Sequence, residues 1–342
     1  MNNKLTQSIL DAYMSKAITR KNIHGVVFCV ENGSGTMSFT SSAGNIQPSD
    51  FYFLASVTKL YVTAVMLKLR SQKHLQLEDN LSKYLPADIT SELHVYKGID
   101  YTQTITIKHL MSNTSGLPDY FSNDVFNEFL SGKDQAWSLE KTLTMIKQKK
   151  PAFIPGQKRK AQYSDTNYQL LGIIIETVTG KSVNDVFKQL IFDELGLKET
   201  YVFEDVNDSR PIPLYYKSKS LHLPYYMASI ASEGGIVTTA KDTMIFLKAF
   251  FNEQFFSRQE LSELQKNWNL LFLPGIFYYG TGISRQPLSL KGLKKGLLGH
   301  WGQSGAFAFH DPEKDLYFTG TVNQVTGHSV AARLMSKIKK LA

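Results

Sequence analysis

Apolar residues recur along the chain with spacings that predict both helices and strands. Near the start they follow each other every three or four residues, which is typical of an amphipathic helix packed on the body of the protein. These positions are Leu5, Ile9, Tyr13, Met14 and Ala17. Residues 57–69 are almost continuously apolar and contain neither glycine nor proline. This run is too long for an ordinary strand, so it predicts a helix that is buried on most of its surface.

Strands are predicted in two parts of the chain that lie far apart in sequence. Residues 25–31 and 37–41 are joined by turn-forming residues, which indicates a hairpin. Residues 234–238 and 299–323 also have strand character, with a turn at Asp311-Pro312. Further helices are predicted at 106–111, 168–178, 190–197, 240–251 and 330–341.

The order of these elements predicts an α/β fold of the α+β type, with an antiparallel sheet flanked by N- and C-terminal helices. Residues 1–75 and 230–342 would form one discontinuous α/β domain, and residues 76–229 a mainly helical domain inserted into it. We expect the active site at the interface between the two domains.

Composition and charge exclude several classes of protein. The chain has 342 residues, of which 42% are hydrophobic and 20% charged, enough for a sizeable core. It lacks the run of about 18 apolar residues that a membrane-spanning helix needs. The net charge is +8, but no nucleic-acid-binding motif accompanies it, so we expect no nucleic-acid partner.

The first residues and the single cysteine bear on the compartment. The start of the chain lacks the basic residues and the continuous apolar stretch of a signal peptide. We therefore expect a cytoplasmic protein if the chain is full length, while an exported mature form stays open. Cys29 is the only cysteine, which excludes an intramolecular disulfide and argues against a cysteine-based zinc site. Its apolar surroundings predict a buried strand residue.

The first candidate for chemistry is Ser56, followed three residues later by Lys59. Residues three apart share one face of a helix, so the hydroxyl and the amine can lie within hydrogen-bond distance. A lysine inside an apolar stretch is desolvated, which weakens its hold on a proton and suits it as a base for a nucleophilic serine. The alternative is that Ser56 caps a helix and Lys59 lies at the surface.

The second candidate is Tyr163 with Asp165, just before a predicted helix. In an extended backbone, residues two apart face the same side. A tyrosine beside a cationic lysine is expected to have a lowered pKa and to shuttle protons. The alternative is an ordinary helix cap at Ser164 or Asp165 with Tyr163 as a packed aromatic.

The third candidate is the segment His300-Trp301-Gly302-Gln303. A glycine here would let a ligand or another backbone approach closely. A strand edge could also lend an N–H to an oxyanion. The alternative is an ordinary glycine-rich strand start.

Together, the order Ser-x-x-Lys, Tyr-x-Asp, His-x-Gly resembles the superfamily of serine β-lactamases and penicillin-binding proteins. The likeness is greatest to the branch of class C β-lactamases, D,D-peptidases and related esterases, and it spans about residues 25 to 330. Further matching segments are residues 106–110, 114–118, 155–156, 167–172 and 234–240.

The resemblance implies a role for each matching residue and a reaction without metal or cofactor. Ser56 would be the acylated nucleophile, Lys59 its proton partner, and Tyr163 the general base in acylation. The backbone N–H groups of Ser56 and Gln303, the residue after Gly302, would form the oxyanion hole. His300 would orient the tyrosine or a substrate carboxylate.

Two departures from the family pattern bear on activity. Asp165 stands where the family usually has asparagine, and a carboxylate would hold Lys59 protonated more firmly. Trp301 stands where the family has a small threonine or serine, so it would narrow the site if it faced the cleft. Both argue against an efficient penicillinase.

The sequence thus predicts a serine hydrolase that acts through an acyl-enzyme on a small ester, amide or short peptide. The esterase and D-amino-acid peptidase types fit the resemblance. The alternative, favoured by Asp165 and Trp301, is a catalytically degenerate relative that binds peptidyl or acyl ligands as a sensor or scaffold. The oligomeric state is not indicated by the sequence.

Overall fold

The framework of the molecule is a set of helices around antiparallel strands. The structure, a computed structural model, describes residues 4–272, 277–288, 293 and 295–342. The strands of this part are β1 (Gly25–Asn32), β2 (Ser38–Gly44), β3 (Tyr52–Phe53), β4 (Val95–Tyr96), β5 (Ile99–Asp100), β6 (Tyr201–Val202), β7 (Leu214–Tyr216), β8 (Lys219–Leu221), β9 (Ile236–Thr238), β10 (Asn269–Phe272), β11 (Phe277–Tyr279), β12 (Ser284–Gln286), β13 (Leu297–Trp301), β14 (Ala306–Asp311) and β15 (Leu316–Val322).

The helices enclose these strands. Those of the described residues are α1 (Gln7–Ile18), α2 (Thr58–Ser71), α3 (Ala87–Thr90), α4 (Ile107–Met111), α5 (Asn123–Leu130), α6 (Leu139–Lys147), α7 (Asp165–Thr179), α8 (Val183–Phe187), α9 (Asp193–Leu195), α10 (Pro224–Ala228), α11 (Ala240–Phe251), α12 (Arg258–Leu264) and α13 (His328–Leu341). None of the helices described is long and apolar enough to cross a membrane.

Both ends of the chain contribute to the main sheet. Among the described residues its strand order is β10-β11-β12-β13-β14-β15-β1-β2, and all neighbouring pairs are antiparallel. The N-terminal hairpin β1–β2 joins the C-terminal strands through β15, with Phe28 opposite Gly320. This confirms the predicted sheet and the hairpin, although β2 begins and ends later than residues 37–41.

Alternating residues of β1 bury the two faces of this sheet. Val26, Phe28 and Val30 pack in a core cluster with residues of α1 and α13, so both terminal helices cover the same face. Val27 and Cys29 point to the other face and join the larger core cluster, which contains most of α2 and α7. The prediction of Cys29 as a buried strand residue is confirmed.

The segment 76–229 carries helices α3 to α10 with short strands between them. One of these strands, β6, pairs with β9, which lies outside the segment. The larger core cluster also contains residues from both sides of the predicted boundaries. The division into domains 1–75 plus 230–342 and 76–229 therefore stays a prediction.

The apolar run at 57–69 forms α2, whose residues from Thr58 to Leu67 are all buried. On one side Tyr61 stacks on Phe246 of α11 at 3.5 Å between ring centroids. On another side the helix packs against α7. Helix α2 is thus held in the centre of the molecule, and Ser56 comes immediately before it.

Candidate active site

Ser56 lies in a short 3-10 turn (Ala55–Val57) between β3 and α2. The backbone of Ala55 has a φ of 45°, in the left-handed region that residues other than glycine rarely adopt. Gly234 packs closely here, since a Cβ at this position would stand 3.2 Å from the Cα of Ala55. Backbone strain of this kind persists where the surroundings hold it, and it clusters at functional sites.

Lys59 is completely buried, one helical turn after Ser56, with a side-chain exposure of 0%. Its Nζ lies 3.0 Å from Ser56 Oγ, 2.7 Å from Asp165 Oδ1 and 2.8 Å from the backbone oxygen of Glu233. A buried amine needs such partners, because losing its water is costly. The alternative of a surface Lys59 with Ser56 as helix cap is wrong.

The three partners of Lys59 determine how its hydrogen atoms are arranged. The carboxylate of Asp165 and the backbone carbonyl of Glu233 can only accept hydrogen bonds, so both take an N–H of the amine. A protonated amine donates its third N–H to Ser56. An uncharged amine instead directs its lone pair at Ser56 Oγ, where it can accept the serine proton.

Tyr163 lies just before α7, with the centre of its ring 5.3 Å from Lys59 Nζ. Its hydroxyl interacts with Ser56, which acts to lower the pKa of the tyrosine. The expected lowering of the pKa of Tyr163 is wrong: burial raises this pKa well above its usual value, and the charge of Asp165 raises it further. The Tyr163 hydroxyl is therefore protonated at neutral pH, although the interaction with Ser56 acts in the opposite sense and lowers this pKa.

Two further carboxyl groups, those of Asp119 and Glu233, lie near Lys59 and Asp165. The sequence analysis did not identify them as site residues. Asp119 Oδ1 accepts the backbone N–H of Asp165 at 3.0 Å. The side chain of Glu233 accepts a hydrogen bond from the Tyr120 hydroxyl. Burial, followed by the nearby charge of Asp165, raises the pKa of both Asp119 and Glu233 well above the usual range. The ionised form of both groups is thus disfavoured, and Asp165 is the carboxylate that forms the ion pair with Lys59.

A signal for these two acids was present in the sequence. Asp119 directly follows segment 114–118, and Glu233 directly precedes Gly234-Gly235, all of which match the family pattern. Their mutual proximity, however, depends on how α2, α7 and two loops pack.

His300 lies on β13 and is 1% exposed. Its Nδ1 is 2.6 Å from the backbone oxygen of Trp301, which can only accept, so the ring N–H is on Nδ1 and Nε2 accepts from the Tyr279 hydroxyl at 3.2 Å. Burial, and secondarily the charge of Lys59, lowers the pKa of His300 to about 3. The ring is therefore neutral near pH 7 and offers a substrate carboxylate no positive charge.

Trp301 is the last residue of this strand, and Gly302 follows it. The Trp301 ring packs edge-on against Phe309, 4.6 Å between centroids, and its N–H donates to Gln286 at 3.1 Å. Two cavities border Ser56, and Trp301 lines the larger of them but not the smaller. A Cβ at Gly302 would overlap the backbone oxygen of Leu54, so glycine lets β13 approach the chain just before Ser56.

Gln303 follows in the turn between β13 and β14. It lines both cavities that border Ser56. Its backbone N–H has no hydrogen-bond partner within the part of the chain that the structure describes. Such an N–H is suited to a negative oxygen, and the assignment of Ser56 and Gln303 to an oxyanion hole stays a prediction.

Two cavities meet at Ser56. The first, here called the apolar pocket, measures about 580 Å³ including space open to solvent, and most of its lining is aliphatic or aromatic. The second, the open groove, measures about 2190 Å³ and is lined by Tyr163, Asp119 and Trp301 among others. Among the described residues, neither lining contains a lysine or an arginine. The described residues also contain no cluster of three or more histidine, cysteine or acidic side chains suited to a metal.

The fold and this site define a protein of the β-lactamase and penicillin-binding-protein type of serine hydrolase. The model of the Beta-lactamase family matches residues 10–340, so the chain belongs to this family. The resemblance read from the motifs is confirmed.

Individual relatives add detail. A putative D-alanyl-D-alanine carboxypeptidase of Escherichia coli is 35% identical over 152 residues, 44% of this chain and 33% of that protein. The match thus spans about a third of the relative's length. The structure superimposes on a D-stereospecific amidohydrolase from Streptomyces sp. with a TM-score of 0.80 and 21% identity, covering 96% of this chain and 98% of the other. For the D-amino acid amidase from Ochrobactrum anthropi SV3 the TM-score is 0.77 at 19% identity, with 96% and 99% covered. These likenesses confirm the fold.

Proposed function

We propose that the protein hydrolyses small amides or esters through an acyl-enzyme on Ser56. The observation that carries this proposal is the 3.0 Å contact of Ser56 Oγ with the buried Lys59, whose Nζ also lies 5.3 Å from the centre of the Tyr163 ring. The names of the structural neighbours, an amidohydrolase and an amidase, fit the same reaction type. The alternative of a degenerate binding protein is disfavoured, because all three reacting groups lie at one point beside two cavities.

The proposed steps follow from the hydrogen bonds. Uncharged Lys59 accepts the proton of Ser56 as Oγ attacks the substrate carbonyl. The backbone N–H groups of Ser56 and Gln303 stabilise the oxygen anion. Protonated Tyr163 gives its proton to the leaving group, and the proton held by Lys59 then returns to the Tyr163 oxygen. Water releases the acid from Ser56 by the same groups in reverse.

A fluorophosphonate probe separates this proposal from the binding alternative. Such probes react only with activated serines, so we expect intact-protein mass spectrometry to show one adduct per chain. An unlabelled protein that still binds acyl ligands would support the degenerate relative instead.

The described lining of the two cavities predicts selection against a carboxylate at the scissile end of the substrate. It holds no lysine or arginine, and His300 is neutral, so a free carboxylate would lose its water without gaining a cationic partner. We expect a peptide ending in a C-terminal amide to be cleaved with a kcat/KM at least about tenfold above that of the same peptide with a free carboxylate. The two substrates have nearly the same shape. A preference for the free acid would assign the protein to the carboxypeptidases.

Asp165→Asn should raise the rate at which penicillin acylates Ser56 by about tenfold. The substitution removes the carboxylate 2.7 Å from Lys59 and favours the uncharged amine that accepts the serine proton. The rate can be followed by the mass of the penicilloyl adduct. Asp193→Asn is the matched control, because Asp193 forms an exposed ion pair with Lys188. An unchanged or lower rate would contradict this electrostatic argument.

A further inference from the structure

The apolar pocket is built by three separate parts of the chain. Helix α5, the hairpin β7–β8 and helix α10 with the residues after it all contribute to its lining. The nonpolar side chains used below are Phe129, Leu214, Leu221, Leu223, Met227 and Ile230. The carboxyl groups of the described lining are those of Asp165, which pairs with Lys59, and of Glu233, which accepts a hydrogen bond from the Tyr120 hydroxyl. Away from Ser56 the pocket therefore offers mainly hydrophobic contact.

The two cavities are on different sides of the reacting atoms. Both are lined by Ser56 and Gln303, where the substrate carbonyl must lie. Tyr163, the proposed proton donor to the leaving group, lines the open groove and not the apolar pocket. The leaving group therefore belongs in the groove. The pocket remains for the part of the substrate that stays on Ser56.

We propose that the apolar pocket binds a bulky nonpolar acyl group, so that the substrates are esters or amides of hydrophobic acids. This inference rests on the proposed function and names its substrate class. The pocket begins at Ser56 and is lined mainly by nonpolar side chains, which suits a nonpolar group attached to the serine. Binding removes both the acyl group and the nonpolar lining from water, which favours longer or aromatic acyl groups.

A series of p-nitrophenyl esters with one leaving group and different acyl chains tests the proposal. Each methylene buried from water favours binding by up to about fourfold. We expect kcat/KM to rise at least about tenfold from acetate to hexanoate. An equal or falling kcat/KM along the series would overturn the proposal.

Two variants connect this preference to the pocket. Leu214 is half-buried, so Leu214→Trp can fill the pocket with little disturbance of the core. The ratio of kcat/KM for hexanoate to that for acetate should fall at least about tenfold. Met227→Ala enlarges the pocket and should move the preferred chain length upward. If both variants keep the wild-type ratio and preferred length, the acyl group binds elsewhere.

The control is Leu143→Trp, the same substitution at a half-buried leucine of α6 that lines neither cavity. Its ratio should equal that of the unaltered protein. The esters also distinguish a failure of the proposed hydrolase activity from a failure of the proposed acyl pocket. Absence of turnover for every ester would overturn the hydrolase itself, whereas turnover without dependence on chain length would overturn the pocket assignment alone.

Discussion

Replacing Ser56 with alanine should reduce the hydrolysis of p-nitrophenyl esters by at least about 10³-fold, because the atom that forms the acyl-enzyme is removed. The same variant should show no mass adduct with a fluorophosphonate. The substitution deletes one hydroxyl that contacts Lys59 at 3.0 Å and leaves the ion pair of Lys59 with Asp165 intact. We therefore expect the melting temperature to change little.

Ser71→Ala provides the matched control for this result. Ser71 ends the same helix α2, is exposed, and its hydroxyl donates to the backbone oxygen of Lys68. Its labelling and turnover should equal those of the unaltered protein. An adduct that persists in Ser56→Ala would place the reactive serine elsewhere and would contradict the assignment of the site.

Much of the fold could be predicted because buried helices and strands place apolar residues at characteristic spacings along the sequence. The run at 57–69 has no polar face, and a helix without a polar face must lie in the interior, as α2 does. In β1 the alternation is hidden, since both faces of the sheet are covered and residues 25–30 are all buried. Short elements such as β6 could not be predicted, because two residues carry no period and pair only through tertiary contacts.

The residues of the candidate site could be predicted from the sequence, but the pKa values of its ionisable groups could not. Spacing within a helix places Lys59 next to Ser56, since local geometry fixes the contact. The state of Tyr163 depends instead on how completely it is buried and on Asp165, and burial has the larger effect. The contact of His300 with Tyr279 likewise joins two strands, β13 and β11, whose relative position only the folded sheet determines.

The acidic surroundings of Lys59 explain why this one residue affects both the proton transfer from Ser56 and the charge balance of the core. Three carboxyl groups lie close together, and burial and the charge of Asp165 raise the pKa of two of them, Asp119 and Glu233. The third, Asp165, forms the salt bridge with Lys59. Changing Lys59 therefore alters both the proton transfer from Ser56 and the charge balance of the core.

Lys59→Met should lower kcat/KM for esters by about 10³-fold and destabilise the protein by about 3 kcal/mol. Methionine has nearly the same length but provides neither a lone pair for the Ser56 proton nor a partner for Asp165, so the carboxylate loses its counter-ion at 2.7 Å. Steady-state kinetics gives the first effect and denaturant unfolding at pH 7 the second.

Lys68→Met separates these effects from the general consequences of the substitution. Lys68 lies on the same helix and also forms an ion pair, but with the half-exposed carboxylate of Glu194. Because the Glu194 carboxylate is 46% exposed and remains solvated without its partner, this control should keep its activity and lose less stability than Lys59→Met. A folded Lys59→Met that still acylates Ser56 within tenfold of the normal rate would show that another group accepts the serine proton. Tyr163 would then be the remaining candidate, since its ring lies 5.3 Å from Lys59 Nζ and its hydroxyl interacts with Ser56, and its raised pKa would have to fall when substrate binds.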